Sequence, residues 1–198
     1  RREAKEAGPD RIFYLADAKA TLEAGAGFIG HSVRDVPVDE AFATALKARD
    51  VCYSPTLMRE VSTFVYGSTP PWASDPFFLK GVSSEIAKQV VDPARQAQVR
   101  SSGGYKLGQQ YKAGLEVAKQ NLQTLAKQGV RIAMGTDTGP AGRFQGFFEH
   151  LEMEMMVEAG MSPMQVLVSA TGDAARCYEK DDELGLIRPG RAADLLIL

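Results

Sequence analysis

The run R-I-A-M-G-T-D-T-G-P, residues 131–140, decides the reading of the fold. Ile132 to Gly135 is a short apolar stretch closed by Gly and Pro, the pattern of a strand buried on both faces in a parallel α/β sheet. Asp137 then stands where the strand leaves the core, the edge at which α/β barrels carry their chemistry. An Asp at such a place also caps turns by accepting backbone N–H groups, so this stretch alone leaves both roles open.

Outward from it, a strand-then-helix unit recurs. Arg11 to Leu15 (R-I-F-Y-L) reads as a strand, followed by Asp17 as an N-cap and an Ala-rich helix that stops at Gly25. Phe28 to His31 (F-I-G-H) reads as the next strand, and Asp35 to Arg49 as a helix with Val38, Phe42, Ala45 and Leu46 at helical spacing. Val51 to Leu57 is a third strand, with Pro55 near its end where a missing N–H is tolerated. Between Met58 and Gly103 the rhythm breaks. Ser68 to Trp72 is rich in turn formers, Asp75-Pro76 suits the start of a helix, and residues 58–103 together read as a lid-like insertion.

Regular patterning returns at Tyr105 to Gln128, where Leu107, Tyr111, Leu115, Ala118, Leu122 and Leu125 form one helical stripe. Phe147 to Ala159 reads as a helix with an aromatic and Met face, its Glu149, Glu152, Glu154 and Glu158 mostly toward solvent. Ser162 to Gln165 is a capping box with Pro at the first helical position, and Asp173 caps a further short turn. Leu184 to Leu198 switches to period two around R-P-G-R, as two strands of a different sheet would. Strands alternating with helices imply an α/β fold with a parallel sheet and right-handed crossovers.

Composition narrows the partners. With 23 Lys and Arg against 25 Asp and Glu, and no basic stripe interleaved with aromatics, no nucleic-acid partner is implied. No apolar run reaches the length of a membrane span. Cys52 and Cys177 lack Cys-x-x-Cys spacing and read as reduced, packed thiols, with one disulfide left open. The N-terminus starts on charged, helix-forming residues with no signal peptide ahead of it and reads as the tail of a helix rather than the start of a domain, which leaves the compartment open, with cytoplasmic as a default only.

Two residues carry the chemistry. His31 ends one strand and Asp137 another, so in a barrel both face the same rim, where an imidazole and a carboxylate suit Zn²⁺ or a similar divalent ion. The plainer alternative is a satisfied core histidine and a cap, because one His and one Asp do not close a metal site. Arg59 and Tyr66 follow the third strand and would lie over the rim, where an Arg can hold a substrate carboxylate in a two-pronged pair. His150 sits in a Glu-rich helix and reads as a surface residue. Phosphate-cradling and nucleophile-elbow motifs are missing from the sequence.

Asp17 to Ser32, Ser54 to Phe64, Asn121 to Asp137 and the tail from M-V-E-A-G-M-S-P-M-Q-V-L through L-G-L-I-R-P-G-R-A-A-D-L together resemble the C-terminal half of the metal-dependent amidohydrolase superfamily. The likeness is strongest to its imidazolonepropionase-like and Xaa-Pro dipeptidase-like members. It implies the C-terminal half of a TIM barrel of about four βα units over residues 1–180, with residues 181–198 starting the return to a small β-sandwich. It also implies one or two zinc or other divalent ions, and hydrolysis of an amide, lactam or dipeptide C–N bond. His31 resembles a metal ligand or its partner on the sixth barrel strand, and Asp137 the metal-binding, proton-shuttling acid of the eighth.

The departures from that pattern are as specific. The His-x-His of the first strand and the bridging residue of the fourth have no counterpart, and Arg11 stands where the family carries its fifth-strand His. The expectation is a catalytically incomplete chain that dimerises or pairs with a missing N-terminal half. A non-catalytic half-barrel interaction module, or an inactive gene fragment, is the alternative.

Overall fold

The computed structural model describes residues 13–196, which are mostly helical with few strands. Arg11 lies outside the described residues, as does the start of the expected first strand. Phe13 and Tyr14 form a turn, and helix α1, Leu15–Glu23, begins at once. Asp17 sits in its first turn without capping it. The capping acceptor is instead Asp35 Oδ1, which takes the N–H of Leu15 at 3.0 Å.

Strand β1, Phe28–Gly30, pairs in parallel with β2, Cys52–Ser54, and between them runs helix α2, Glu40–Ala48, capped by Asp39. The 131–134 segment lies on the other side of β2. Tyr53 N–H donates to the Arg131 carbonyl and Ala133 N–H to the Tyr53 carbonyl, both at 2.9 Å, forming a single parallel bridge at Tyr53 and Ile132. Three chain segments therefore run side by side and end on one edge.

Residues 58–103 are not an irregular loop. They fold into α3, Leu57–Ser62, a 3₁₀ turn at Val65–Gly67, α4, Pro76–Gly81, α5, Ser84–Val91, and α6, Pro93–Ser101. Each of the last three is capped by a side chain accepting from its first turn: Asp75, Ser83 and Asp92. The long helix α7, Gly103–Lys127, is capped by Ser102 and buries Leu115, Ala118, Leu122 and Leu125. Its Gly108 allows close approach to α3, since a Cβ there would lie 2.4 Å from the Thr63 carbonyl oxygen.

Helix α8, Phe147–Glu158, brings Phe147 and Phe148 against Trp72, Phe78 and Phe144. Helix α9, Pro163–Val168, opens with the expected reciprocal bonds between Ser162 and Gln165. It runs through a π-helical turn at Ser169–Asp173 into α10, Ala174–Cys177. Asp173 is helical and caps nothing; its carboxylate meets Arg131 at 2.9 Å.

Two further expectations are corrected. Cys52 and Cys177 are joined in a disulfide across a sequence separation of 125, tying β2 to the end of α10. The R-P-G-R turn forms, with Arg191 N–H on the Arg188 carbonyl, but its arms are not strands among the described residues. Ile187 and Leu196 are 87% and 81% exposed, with no neighbouring strand to complete a ladder. No helix among the described residues is long and apolar enough to cross a membrane.

Candidate functional site

At the edge where the three segments end, three residues adopt left-handed backbone: His31 after β1 (φ 74°), Thr56 after β2 (φ 48°) and Asp137 after the 131–134 segment (φ 55°). None is glycine, and β-branched Thr is least at home there, so each is held against a conformational cost of about 1–3 kcal/mol. Such strain gathers where side chains must be aimed. The Thr56 hydroxyl lies 2.8 Å from His31 Nδ1, fixing the ring. Phe13 stacks on that ring at 5.5 Å between centroids. Burial, reinforced by the positive charge of Arg59, lowers the His31 pKa to about 4 against the opposing pull of Asp137, so the imidazole is neutral.

Asp137 is embraced by guanidinium groups. Arg143 Nη1 donates to its Oδ2 at 2.5 Å and to its carbonyl at 3.0 Å, and Arg59 Nε lies 3.7 Å from Oδ2. The flanking threonines are pinned from below. Thr136 and Thr138 both donate to Glu149 Oε1, at 2.7 and 2.8 Å, while the other Glu149 oxygen accepts from Gly146 N–H.

A second layer fixes the arginines. Glu60, fully buried, pairs with Arg34 and with Arg59. The Arg34 guanidinium lies between the rings of Phe13 and Tyr111, 3.6 and 3.8 Å from their centroids. Glu152 is also fully buried, contrary to its expected place on the solvent side of α8. Its two oxygens accept the N–H groups of Leu57 and Met58 at 2.8 and 2.7 Å, closing the N-terminus of α3. Burial pushes its carboxyl up to about 8 despite those two donors.

The four expected site residues thus divide. His31, Arg59 and Asp137 converge on one edge. Tyr66 stands further out, where its hydroxyl donates to the Gly142 carbonyl and so braces the loop after Asp137. His150 is exposed and edge-on to Phe77. Sequence reasoning missed Arg143, Thr56, Glu60, Glu149 and Glu152. Thr56 and Glu60 lie one and five residues beyond Pro55, in a stretch from which only Arg59 and Tyr66 were drawn as site residues.

A catalytic zinc takes about three protein ligands and a water. Among the described residues no group of three or more His, Cys, Asp or Glu side chains is placed to hold a metal ion. His31 offers one free ring nitrogen, and Asp137 a carboxylate already paired with two cations. Glu60 is engaged by Arg34 and Arg59. By donor chemistry these residues alone do not fit a catalytic metal.

Residues 77–198 match the sequence model of the amidohydrolase family. The imidazolonepropionase of Cutibacterium acnes is 37% identical over 78 residues, which are 39% of this chain and 19% of that protein. Adenine deaminase 1 of Latilactobacillus sakei is 41% identical over 54 residues, 27% of this chain and 9% of that enzyme. In three dimensions a Xaa-Pro dipeptidase crystallised with bound methionine superposes with a TM-score of 0.54 at 23% identity, covering 90% of this chain and 35% of the other. The chain thus spans about a third of that structure, and the matched segments less than a fifth of these curated relatives.

Proposed function

The chain belongs to the amidohydrolase family, and we propose that it forms part of a hydrolase for amide, lactam or dipeptide C–N bonds, with its chemistry at the His31, Arg59 and Asp137 edge. The observation that carries the reading is the placement of His31, Thr56 and Asp137, each left-handed, at the ends of three parallel segments. In this reading Asp137 takes a proton from the attacking water and returns it to the leaving nitrogen. Neutral His31 uses the ring nitrogen not bonded to Thr56 to orient the water or the carbonyl. Arg59, held by Glu60, meets a substrate carboxylate. Arg143 keeps Asp137 aimed.

Residues 1–180 are read as the later half of an eight-stranded barrel with the 58–103 helices as its lid, and 181–198 as the return to a small β domain. The family's divalent ion, zinc or another, belongs to the barrel as a whole. Its ligands come from a complementary half or a second copy of the chain, since the one free ring nitrogen of His31 and the arginine-paired carboxylate of Asp137 do not make a site.

The test is release of free amine from a panel of dipeptides and lactams, by wild type and by Asp137→Ala, with metal content measured in parallel. Asp137-dependent release supports the hydrolase reading. No release by a chain that has bound stoichiometric metal favours the second reading, a non-catalytic half-barrel that binds a partner through its open sheet edge. The donor count at the rim is what supports that alternative.

A further inference from the structure

The three segments that carry His31, Thr56 and Asp137 at one end frame a second space at the other. Gly25 to Gly27 ahead of β1, Arg49 to Cys52 at the start of β2, Arg131, and Arg176 and Cys177 of α10 line a cavity of about 360 Å³. The Cys52–Cys177 disulfide therefore borders open space. Its two halves are unequal. Cys52 is buried within β2, while Cys177 is half-buried at the last residue of α10.

Charge at this cavity is one-sided. Arg49, Arg131 and Arg176 line it against the single carboxylate of Asp50. Asp50 pairs with Arg131 at 2.7 Å and with Arg176 at 3.1 Å, so one acid is shared by two guanidinium groups. Asp173, outside the lining, takes a further bond from Arg131 at 2.9 Å. Arg49 donates from Nη1 to the Leu22 carbonyl at 2.8 Å, a neutral acceptor that does not offset its charge. An electropositive pocket draws in anions and favours the thiolate form of a thiol inside it. A disulfide in its wall gives that thiolate a bond to attack.

We propose that the Cys52–Cys177 disulfide is a thiol-exchange site, selective for small thiols that carry a carboxylate. The entering thiolate attacks Sγ of Cys177, the less buried partner, and a new S–S bond forms as the old one breaks. The electron pair leaves on Cys52 Sγ as a thiolate, which the guanidinium groups of the cavity favour and water protonates. A second thiolate attacks the sulfur that entered, releases Cys177 and leaves as a small-molecule disulfide, so two thiols are oxidised for one disulfide reduced. Helix α10 stays docked meanwhile, because the Arg176–Asp50 and Arg131–Asp173 pairs and the Tyr178 ring, 5.9 Å from that of Phe28, remain in place. The assignment does not depend on the chemistry proposed at the opposite edge.

Mercaptoacetate, mercaptoethanol and cysteamine are close in size and differ in charge, which makes them the probes. The rate at which each opens the disulfide of the folded chain is measured at low ionic strength, corrected for thiolate fraction and for its rate with a small neutral disulfide. Peptide mapping locates the first adduct. Mercaptoacetate is expected to react roughly fivefold or more faster than cysteamine, with mercaptoethanol between them, and the spread to collapse in about 0.5 M salt. The adduct is expected on Cys177. Arg49 is exposed, and Arg49→Gln is expected to narrow the spread. A bond that no thiol opens until the chain is denatured, equal rates for the three, a spread that salt or Arg49→Gln leaves unchanged, or an adduct on Cys52 would overturn the assignment. The salt series uses the wild-type chain alone, so it decides the matter even where the variant does not fold.

Discussion

The Thr56 hydroxyl lies 2.8 Å from Nδ1 of His31, and not over the first turn of α3, the helix that Thr56 opens. A threonine at that position would ordinarily cap its own helix. Here the capping role passes to Glu152 of α8, which leaves the hydroxyl to fix an imidazole on a neighbouring strand end. One buried acid thus determines what a residue on another element is able to do.

His31 is expected to stay neutral well into acid. With its pKa lowered to about 4 by burial and Arg59, the folded chain takes up that proton later than an unfolded chain with a pKa of 6.5. Between those values the unfolded state binds more protons, so this contribution to stability is complete above about pH 6.5 and is lost as pH falls toward 4. The His31 ring signals in an NMR titration check it; a midpoint near 6.5 would contradict the burial argument.

Glu152 has the opposite sign. Its carboxyl is pushed up to about 8, so between about 4.5 and 8 the folded state holds a proton that the unfolded state has released, and stability falls as pH rises through that window. Glu152→Gln is expected to flatten the dependence in urea melts taken from pH 5 to 9. Glu152→Ala strips the acceptor from two buried amides and is expected to lower stability by roughly 2–4 kcal/mol.

Gly108→Ala reverses the usual rule for helices. On an open helix surface the change would stabilise by about 1 kcal/mol. In α7 the new Cβ would lie 2.4 Å from the Thr63 backbone oxygen, so α3 and α7 must part and a net loss of roughly 1–3 kcal/mol is expected. Denaturant midpoints compare it with Gly104→Ala, a helical glycine whose Cβ meets nothing within 4 Å.

Asn121 is the one polar residue on the buried side of α7. It accepts from Val38 N–H and donates to the carbonyls of Val33 and Val36, pinning the segment between β1 and α2. Asn121→Ala is expected to cost roughly 2–4 kcal/mol by orphaning these groups, with amide exchange rising at Val38.

How far the sequence could be read depended on whether a residue's partner was local. The stripe of α7, the Ser162 box and the Asp75-Pro76 start are all local signals, and each formed. The 58–103 helices were marked in the same way, by Ser83 and Asp92-Pro93 ahead of short helical runs, yet the breakers at Ser68 to Trp72 masked them. Patterning alone brings Asp137 and His31 to one edge, although residues 131–134 make a single bridge to β2 where a full strand was expected. Glu152 does not, because a Glu flanked by Glu149 and Glu154 reads as a solvated face until α3 is seen to lie over it. The tail's alternating pattern read as strands for a related reason: alternation says which face would be buried, and a ladder still needs a neighbour.

The bond between Cys52 and Cys177 turns most of the molecule into a covalent ring. Arg59, the 58–103 helices and Asp137 all lie inside it, while His31 lies outside, tied to it by the β1–β2 pairing and the Thr56 hydroxyl rather than by a covalent link. A protease that nicks an exposed turn between α4 and α6 would open the ring without dividing the chain. The two pieces would still migrate as one band until a reductant was added, and only then would Asp137 part company with β2.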